Sequence, residues 1–230
     1  MNIKRFFTEF LYLIFPNCCF VCGEGLLLGE QYVCTQCISN IPRTGFHLQK
    51  DNPAEKRFWG KADVFRATAF FRYEKGSAFR TLVYNLKYKG HKELGEILGR
   101  FAASDLLQSN DFASVNCIVP VPLHPNKLRQ RGYNQSEFIA RGLAAVMCKD
   151  IDIQNLARLI ENPTQTKKSV YERFQNTEGI FGVKNPQLFE NKHIMLVDDV
   201  MTTGSTIEGC ILAMKNVKNI KISVFTLAIA

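Results

Sequence analysis

The chain has 230 residues, of which 46% are hydrophobic and 22% charged, a composition that excludes intrinsic disorder, collagen-like repeats and a coiled coil. That length suits one core plus a small module, and would cramp two full-sized enzyme domains. Lys and Arg number 29 against 21 Asp and Glu, giving a formal net charge of +8 and favouring anionic partners such as phosphorylated metabolites, nucleic acid or an acidic protein.

Met1–Pro16 is apolar and reads as a short docking helix, with Phe7, Phe10, Leu11 and Ile14 on one face. Thr8 and Glu9 interrupt the run and no small-x-small cleavage site follows, so a secretory signal is not expected. No stretch approaches the roughly 18 uninterrupted apolar residues needed to span a bilayer. The expected location is therefore the cytoplasm, with no membrane span.

Two Cys-x-x-Cys pairs follow, Cys19/Cys22 and Cys34/Cys37, separated by a short arm. Each pair can form a tight knuckle, and four converging thiolates close a tetrahedron around Zn²⁺ with no open position. The spacing thus predicts a structural zinc ribbon whose metal supplies folding energy that so short a segment lacks. A reducing compartment disfavours disulfides, and a redox pair would not need a matched second pair. Cys18 lies outside the pattern. Cys117, Cys148 and Cys210 sit in apolar surroundings and read as small core residues.

Residues 1–45 are read as the N-terminal helix and zinc ribbon, 46–60 as a linker, and 61–230 as one α/β domain. Ile41–Trp59 holds Pro42, Gly45, Pro53 and many charges without a period. Ala62–Tyr73 predicts a strand. Gly76–Lys89 predicts a helix with Phe79, Leu82, Val83 and Leu86 on one face. Glu93–Leu107 predicts another, striped by Leu94, Ile97, Leu98, Phe101 and Ala102. Cys117–Val121 is a continuous apolar run, as in a strand of a parallel sheet. Asn134–Glu137 has the form of a capping box opening a helix through Cys148. A strand over Leu156–Ile160 and a polar loop or short helix over Thr164–Gln175 follow. Ile194–Val197, Ser205–Val217 and Ile222–Ile229 complete a strand, helix, strand alternation.

The most informative stretch is Val197–Thr206, VDDVMTTGST. A buried strand delivers Asp198 and Asp199 to its carboxyl end, where open α/β sheets bind ligands. Gly204 allows a tight turn and close backbone approach. The amides of Thr203–Thr206 at a helix N-terminus make a phosphate cradle, to which the hydroxyls of Thr202, Thr203, Ser205 and Thr206 add donors. The acids would repel phosphate but accept hydrogen bonds from an adjacent diol. Acids beside a phosphate cradle therefore specify a ribose-phosphate. There is no Gly-Lys-Ser/Thr, so this is not a Walker loop.

This stretch resembles the phosphoribosyl pyrophosphate signature of type I phosphoribosyltransferases. The paired Cys-x-x-Cys, Leu86–Gly90 (LKYKG), Val119–Pro125 (VPVPLHP), Leu128–Gln135 (LRQRGYNQ) and Glu172–Asn176 (ERFQN) are similar to the ComF family within that superfamily. The resemblance runs from about Pro16 onward, with Phe46–Gly60 its least typical part. It implies a type I phosphoribosyltransferase-like, mostly parallel sheet flanked by helices, carrying an N-terminal zinc ribbon.

In the site, the resemblance implies that Asp198 and Asp199 hold the ribose 2′- and 3′-hydroxyls while Thr202, Thr203, Gly204, Ser205 and Thr206 wrap the 5′-phosphate. The turn after Val121 would face the pyrophosphate through the amides of Leu123 and His124, with Mg²⁺ bridging pyrophosphate and sugar oxygens. Arg129 and Arg131 would lie in a mobile loop and, with Lys87, meet pyrophosphate oxygens. Relatives acting on 6-oxopurines place an aspartate where this chain has Thr202, and a hydroxyl is a poor proton acceptor at neutral pH, which disfavours purine salvage.

Three functions follow as expectations. One is an enzyme in which a nucleophile displaces pyrophosphate from ribose C1, helped by positioning, Mg²⁺ and closure of the basic loop. The ComF resemblance implies a role in natural competence and DNA uptake. The second is accordingly a DNA-handling module, with single-stranded DNA and DNA-processing proteins as partners and Tyr84, Tyr88 and Tyr133 beside cations. The third is a non-catalytic sensor in which phosphoribosyl pyrophosphate alters a protein contact.

Overall fold

The computed structural model describes residues 17–158 and 180–230. The helix expected over Met1–Pro16, the Thr164–Gln175 segment, the Glu172–Asn176 motif and the end of the Leu156–Ile160 strand lie outside the described residues. In chain order come α1 (Thr35–Ser39), α2 (Pro53–Lys56), β1 (Arg66–Arg72), α3 (Arg80–Tyr88), α4 (Glu93–Leu106) and α5 (Asn110–Ala113). There follow β2 (Cys117–Pro120), α6 (Pro125–Arg131), α7 (Gln135–Met147), β3 (Asp150–Ile151), β4 (Leu156–Arg158) and β5 (Phe181–Val183). The chain continues with β6 (His193–Met201), α8 (Ser205–Ala213) and β7 (Lys221–Ile229).

Five strands form a parallel sheet in the order β1-β7-β6-β2-β3, and β4 pairs with β5 as a separate antiparallel ribbon. The fold is thus the expected α/β arrangement, with one difference in place. Ile222–Ile229, read as closing the sheet, lies inside it, between β1 and β6.

Side chains of a strand alternate between faces, and here they feed two cores. Ile118, Met195, Val197 and Phe225 pack with Leu82, Leu86, Leu94, Leu98, Ile139 and Leu143 of α3, α4 and α7. Val119, Ile194, Leu196 and Val224 pack on the other face with Ile207 and Ile211 of α8 and with Phe46 and Phe58. Helices α4 and α7 cross at Gly99 and Gly142, where a Cβ on either would overlap backbone of the other helix.

The outer edge of β1 is covered by the chain preceding it, since Thr44 N donates to Phe70 O (3.1 Å) and Arg72 N to Pro42 O (3.0 Å). Such cover keeps an edge from pairing with another chain.

The segment 46–60, read as a linker, is folded. Phe46, Ala54 and Phe58 are buried in the second core. Asn52, also buried, accepts from Ala54 N and Glu55 N and donates through Nδ2 to Phe46, Gln49 and Ala67 carbonyls. One of its charges, Glu55, is paired in the interior with an arginine of β1: buried Arg66 donates to Glu55 Oε1 (2.7 Å), to Asp111 and to Gln49 O (2.7 Å). Removing one member of a buried ionic set leaves the others uncompensated, at about 3–5 kcal/mol. Arg66→Ala is accordingly expected to lower unfolding free energy by about that amount, measurable by urea melts. A loss below about 1 kcal/mol would contradict this role for Arg66.

Three smaller readings are corrected. Asn134 caps α7 alone, accepting from Ser136 N, while Glu137 pairs with Arg141 (2.7 Å) instead of completing a box. Cys148 is exposed at the left-handed C-cap of α7, not in the core. Phe101 is exposed, so the α4 stripe is narrower than its apolar content suggested. No helix among the described residues is long and apolar enough to cross a membrane.

Candidate functional site

Strand β6 outruns its neighbour. Pairing with β2 ends at Pro120↔Val197, yet β6 continues through Asp198, Val200 and Met201 opposite Thr226, Ala228 and Ile229 of β7. The strand was expected to stop at Val197; main-chain pairing to β7 carries it on. The two acids therefore stand where β2 has turned away. That gap, between β6 and β2, is also where the sheet's connections reverse direction, since β2 leads outward to β3 and β6 leads the other way to β7. Open α/β sheets present their ligand crevice at such a point.

Asp198 is held by two donors to one oxygen, Ser136 Oγ (2.9 Å) and Asp199 N (2.8 Å), both on Oδ1. Burial pushes its carboxyl up from 3.8 to about 7, reinforced by the neighbouring Asp199 and opposed by these hydrogen bonds and by Lys87. Asp199 is buried and its Oδ1 lies 2.9 Å from Lys87 Nζ, reaching in from α3. Among the described contacts none reaches either Oδ2. Gln135 Nε2 on α7, next to Ser136 in the chain, and Thr226 Oγ1 on the β7 residue that pairs with Asp198 are buried polar atoms without a hydrogen-bond partner among the described residues.

The turn after β6 exposes Thr202, Thr203, Ser205 and Thr206. Gly204 sits at φ +83° as the N-cap of α8 and supplies no side-chain cap; Ser205 N reaches Thr203 Oγ1 (3.4 Å), and no capping oxygen among the described contacts takes the amides of Thr206 and Ile207. A Cβ at Gly204 would lie 3.2 Å from the Phe58 ring, so the folded 46–60 segment backs this turn. Thr203 Oγ1 and Ser205 Oγ are 2.9 Å apart.

Across the crevice, Leu123 and His124 precede α6, and His124 Nδ1 accepts from Asn126 N (3.2 Å), so this ring caps a helix. Arg129 and Arg131, expected in a loop, lie on α6 itself, where Pro125 opens the helix and Gly132 at φ +80° ends it. Arg131 stacks over the Tyr88 ring, 5.5 Å from its centroid. Tyr133 is buried, its hydroxyl donating to Leu86 O (2.5 Å), which removes it from the exposed aromatics expected to meet DNA.

The site thus gathers Asp198, Asp199, Lys87 and Ser136. Ser136 was read only as part of a cap. An N-terminal hydroxyl on a helix facing the acids was the signal available for it.

At the N-terminal module, the sulfurs of Cys19, Cys22, Cys34 and Cys37 lie within 4.8 Å of one another and could hold zinc. A tetrahedron with bonds of about 2.3 Å has edges of about 3.8 Å; Cys22 and Cys34 Sγ are 3.8 Å apart. Burial opposes ionisation of Cys19, but N–H donors from Cys22, Cys34 and Val21 bring it down to about 7. Burial and the other three sulfurs push Cys37 up instead. Four thiolates at this spacing need a cation, and the donor set suits a closed zinc site.

This is a parallel α/β domain with an acid pair at the switch point of its sheet and a four-cysteine module before it. No protein-family model matches the chain. It is 27% identical over 206 residues to DNA utilization protein YhgH of Salmonella typhimurium, covering 85% of this chain and 89% of that protein. It is 29% identical over 134 residues to competence protein F of Haemophilus influenzae, covering 55% of this chain and 57% of that protein. With competence protein ComFC of Bacillus subtilis the identity is 34% over 113 residues, 48% of this chain and 43% of that protein. These similarities support a ComF-family protein.

Proposed function

We propose that the crevice between β6 and β2 binds phosphoribosyl pyrophosphate with Mg²⁺, and that the protein serves DNA utilization or competence, as its relatives' names indicate. The observation that carries the ligand reading is the acid pair at the strand divergence. One oxygen of each acid is fixed by Ser136 or Lys87, and the other is free for a donor. A vicinal diol offers two such donors at adjacent carbons. The start of α8, where Gly204 offers no side-chain cap, and the hydroxyls around it follow the acids in the chain and suit a terminal phosphate.

Bound with the ligand, Mg²⁺ would supply charge neutralisation for a pyrophosphate leaving group. The chain's own part is positioning. Ser136 and the Asp199 amide orient Asp198. Lys87 holds Asp199 and lies within reach of an anion entering the crevice. If a nucleophile attacks ribose C1, the bond from C1 to the pyrophosphate oxygen breaks and pyrophosphate leaves with the electron pair.

Calorimetry with phosphoribosyl pyrophosphate and Mg²⁺ tests the reading, followed by a pyrophosphate-release screen over acceptor nucleophiles. Binding by the wild type and its loss in Asp198→Ala/Asp199→Ala are expected. Unaltered affinity or turnover in the double variant would exclude the assignment. Affinity should also rise between pH 6 and pH 8, because an ionised Asp198 is the better acceptor.

A further inference from the structure

Helix α3 carries a second feature that the crevice does not use. Tyr84 and Tyr88, four residues apart and so on one helical face, are 51% and 66% exposed. Their ring centroids are 5.4 Å apart. Each ring is attended by a cation: Lys89 Nζ lies 5.8 Å from the Tyr84 centroid and Arg131 5.5 Å from that of Tyr88.

The platform is fixed in place. Tyr133 Oη ties the last turn of α3 to the start of α7, and Lys87, between the two tyrosines in the chain, turns inward to Asp199. The pair of rings therefore stands on the same helix that supplies Lys87 to the acid pair.

We infer that Tyr84, Tyr88, Lys89 and Arg131 form a stacking platform for successive bases of single-stranded DNA, separate from the acid pair. Exposed aromatic rings take the faces of unstacked bases without regard to sequence, and adjacent cations take the phosphates. A duplex hides those faces. A protein partner would also value tyrosines, but a cation beside each ring, on a chain of net charge +8, complements a polyanion. A DNA strand does not fit the crevice itself: deoxyribose lacks the 2′-hydroxyl, so it presents no vicinal diol, and its phosphodiesters meet two acids.

The test is fluorescence anisotropy of a labelled oligothymidylate with the full chain at low salt. Tyr84→Ala and Tyr88→Ala should each weaken binding about tenfold, and the Phe variants should retain it. Lys89→Met and Arg131→Met should each lower the slope of log affinity against log salt by about 0.7. Asp198→Asn should bind the strand as the wild type does, even though it binds the sugar-phosphate ligand more weakly; that separates this inference from the proposed crevice function.

Several outcomes would overturn the platform. One is wild-type DNA affinity in a folded Tyr84→Ala/Tyr88→Ala variant. Another is equal competition by duplex. A third is loss of strand binding in Asp198→Asn. Tighter binding of an oligouridylate would overturn DNA as the occupant. So would a wild type that ignores the strand and uses the tyrosines to self-associate.

Discussion

Asp198→Asn is expected to raise the melting temperature by roughly 5–10 °C at pH 8 and to leave it almost unchanged near pH 4. The folded carboxyl, raised from 3.8 to about 7 by burial and by Asp199, keeps its proton where the unfolded chain has already released one. Between those values the native state binds more protons, so stability falls as pH rises through that window. Above about pH 7 the full cost of a buried carboxylate is present, on the order of 2–4 kcal/mol. An amide avoids it. Its oxygen can still accept from Ser136 Oγ and the Asp199 amide, which both bind Oδ1.

The same variant should bind phosphoribosyl pyrophosphate about 10- to 100-fold more weakly, because a charge-assisted acceptor has been replaced by a neutral one. Stability and ligand affinity are thus predicted to move in opposite directions from one atom's change. Thermal melts at pH 4, 6 and 8 beside calorimetry read both. A variant less stable than wild type at pH 8 would show that the buried carboxylate is not costly.

Stripping the metal, or Cys37→Ser, should have the larger structural effect. Structural zinc contributes about 10–16 kcal/mol of apparent binding energy in isolated modules. Here Cys19, Val33, Cys37, Ile38 and Ile41 also belong to the main core cluster. Thr81 Oγ1 of α3 donates to Phe20 O (2.7 Å), and the Phe20 ring lies 4.8 Å from that of His91. Loss of the ion is therefore expected to expose residues 17–41 to protease and to loosen α3 with them. Elemental analysis should find about one zinc per chain in the wild type and in Cys18→Ser, and none in Cys37→Ser. A Cys37→Ser protein with full metal content and unchanged protease resistance would refute the four-cysteine assignment.

What could be read from residues alone followed from how local each signal is. The apolar runs at Cys117–Val121 and Ile194–Val197 announce buried parallel strands, because both faces of such strands are covered. Paired acids and paired cysteines are adjacent in sequence, so their chemistry shows without a fold. Lys87 and Ser136 reach the acids only through tertiary packing of α3 and α7 against the sheet; charge on a helix looks the same whether it faces water or Asp199. The 46–60 segment misled for the same reason. Glu55 and Arg66 neutralise each other in the interior, and no period marks that. Tyr133 was grouped with Tyr84 and Tyr88, although only a hydroxyl buried against the Leu86 carbonyl distinguishes it.

The position of β7 constrains how the protein can be made. Lys221–Ile229 lies between β1 and β6, so neither flanking strand has its neighbour until those residues have left the ribosome. Until then a nascent chain carries two unpaired apolar strand edges from opposite ends of the domain. That state is prone to stick to other chains and is suited to a holding chaperone. Joining β1 to the rest of the sheet must therefore wait for insertion of that single segment.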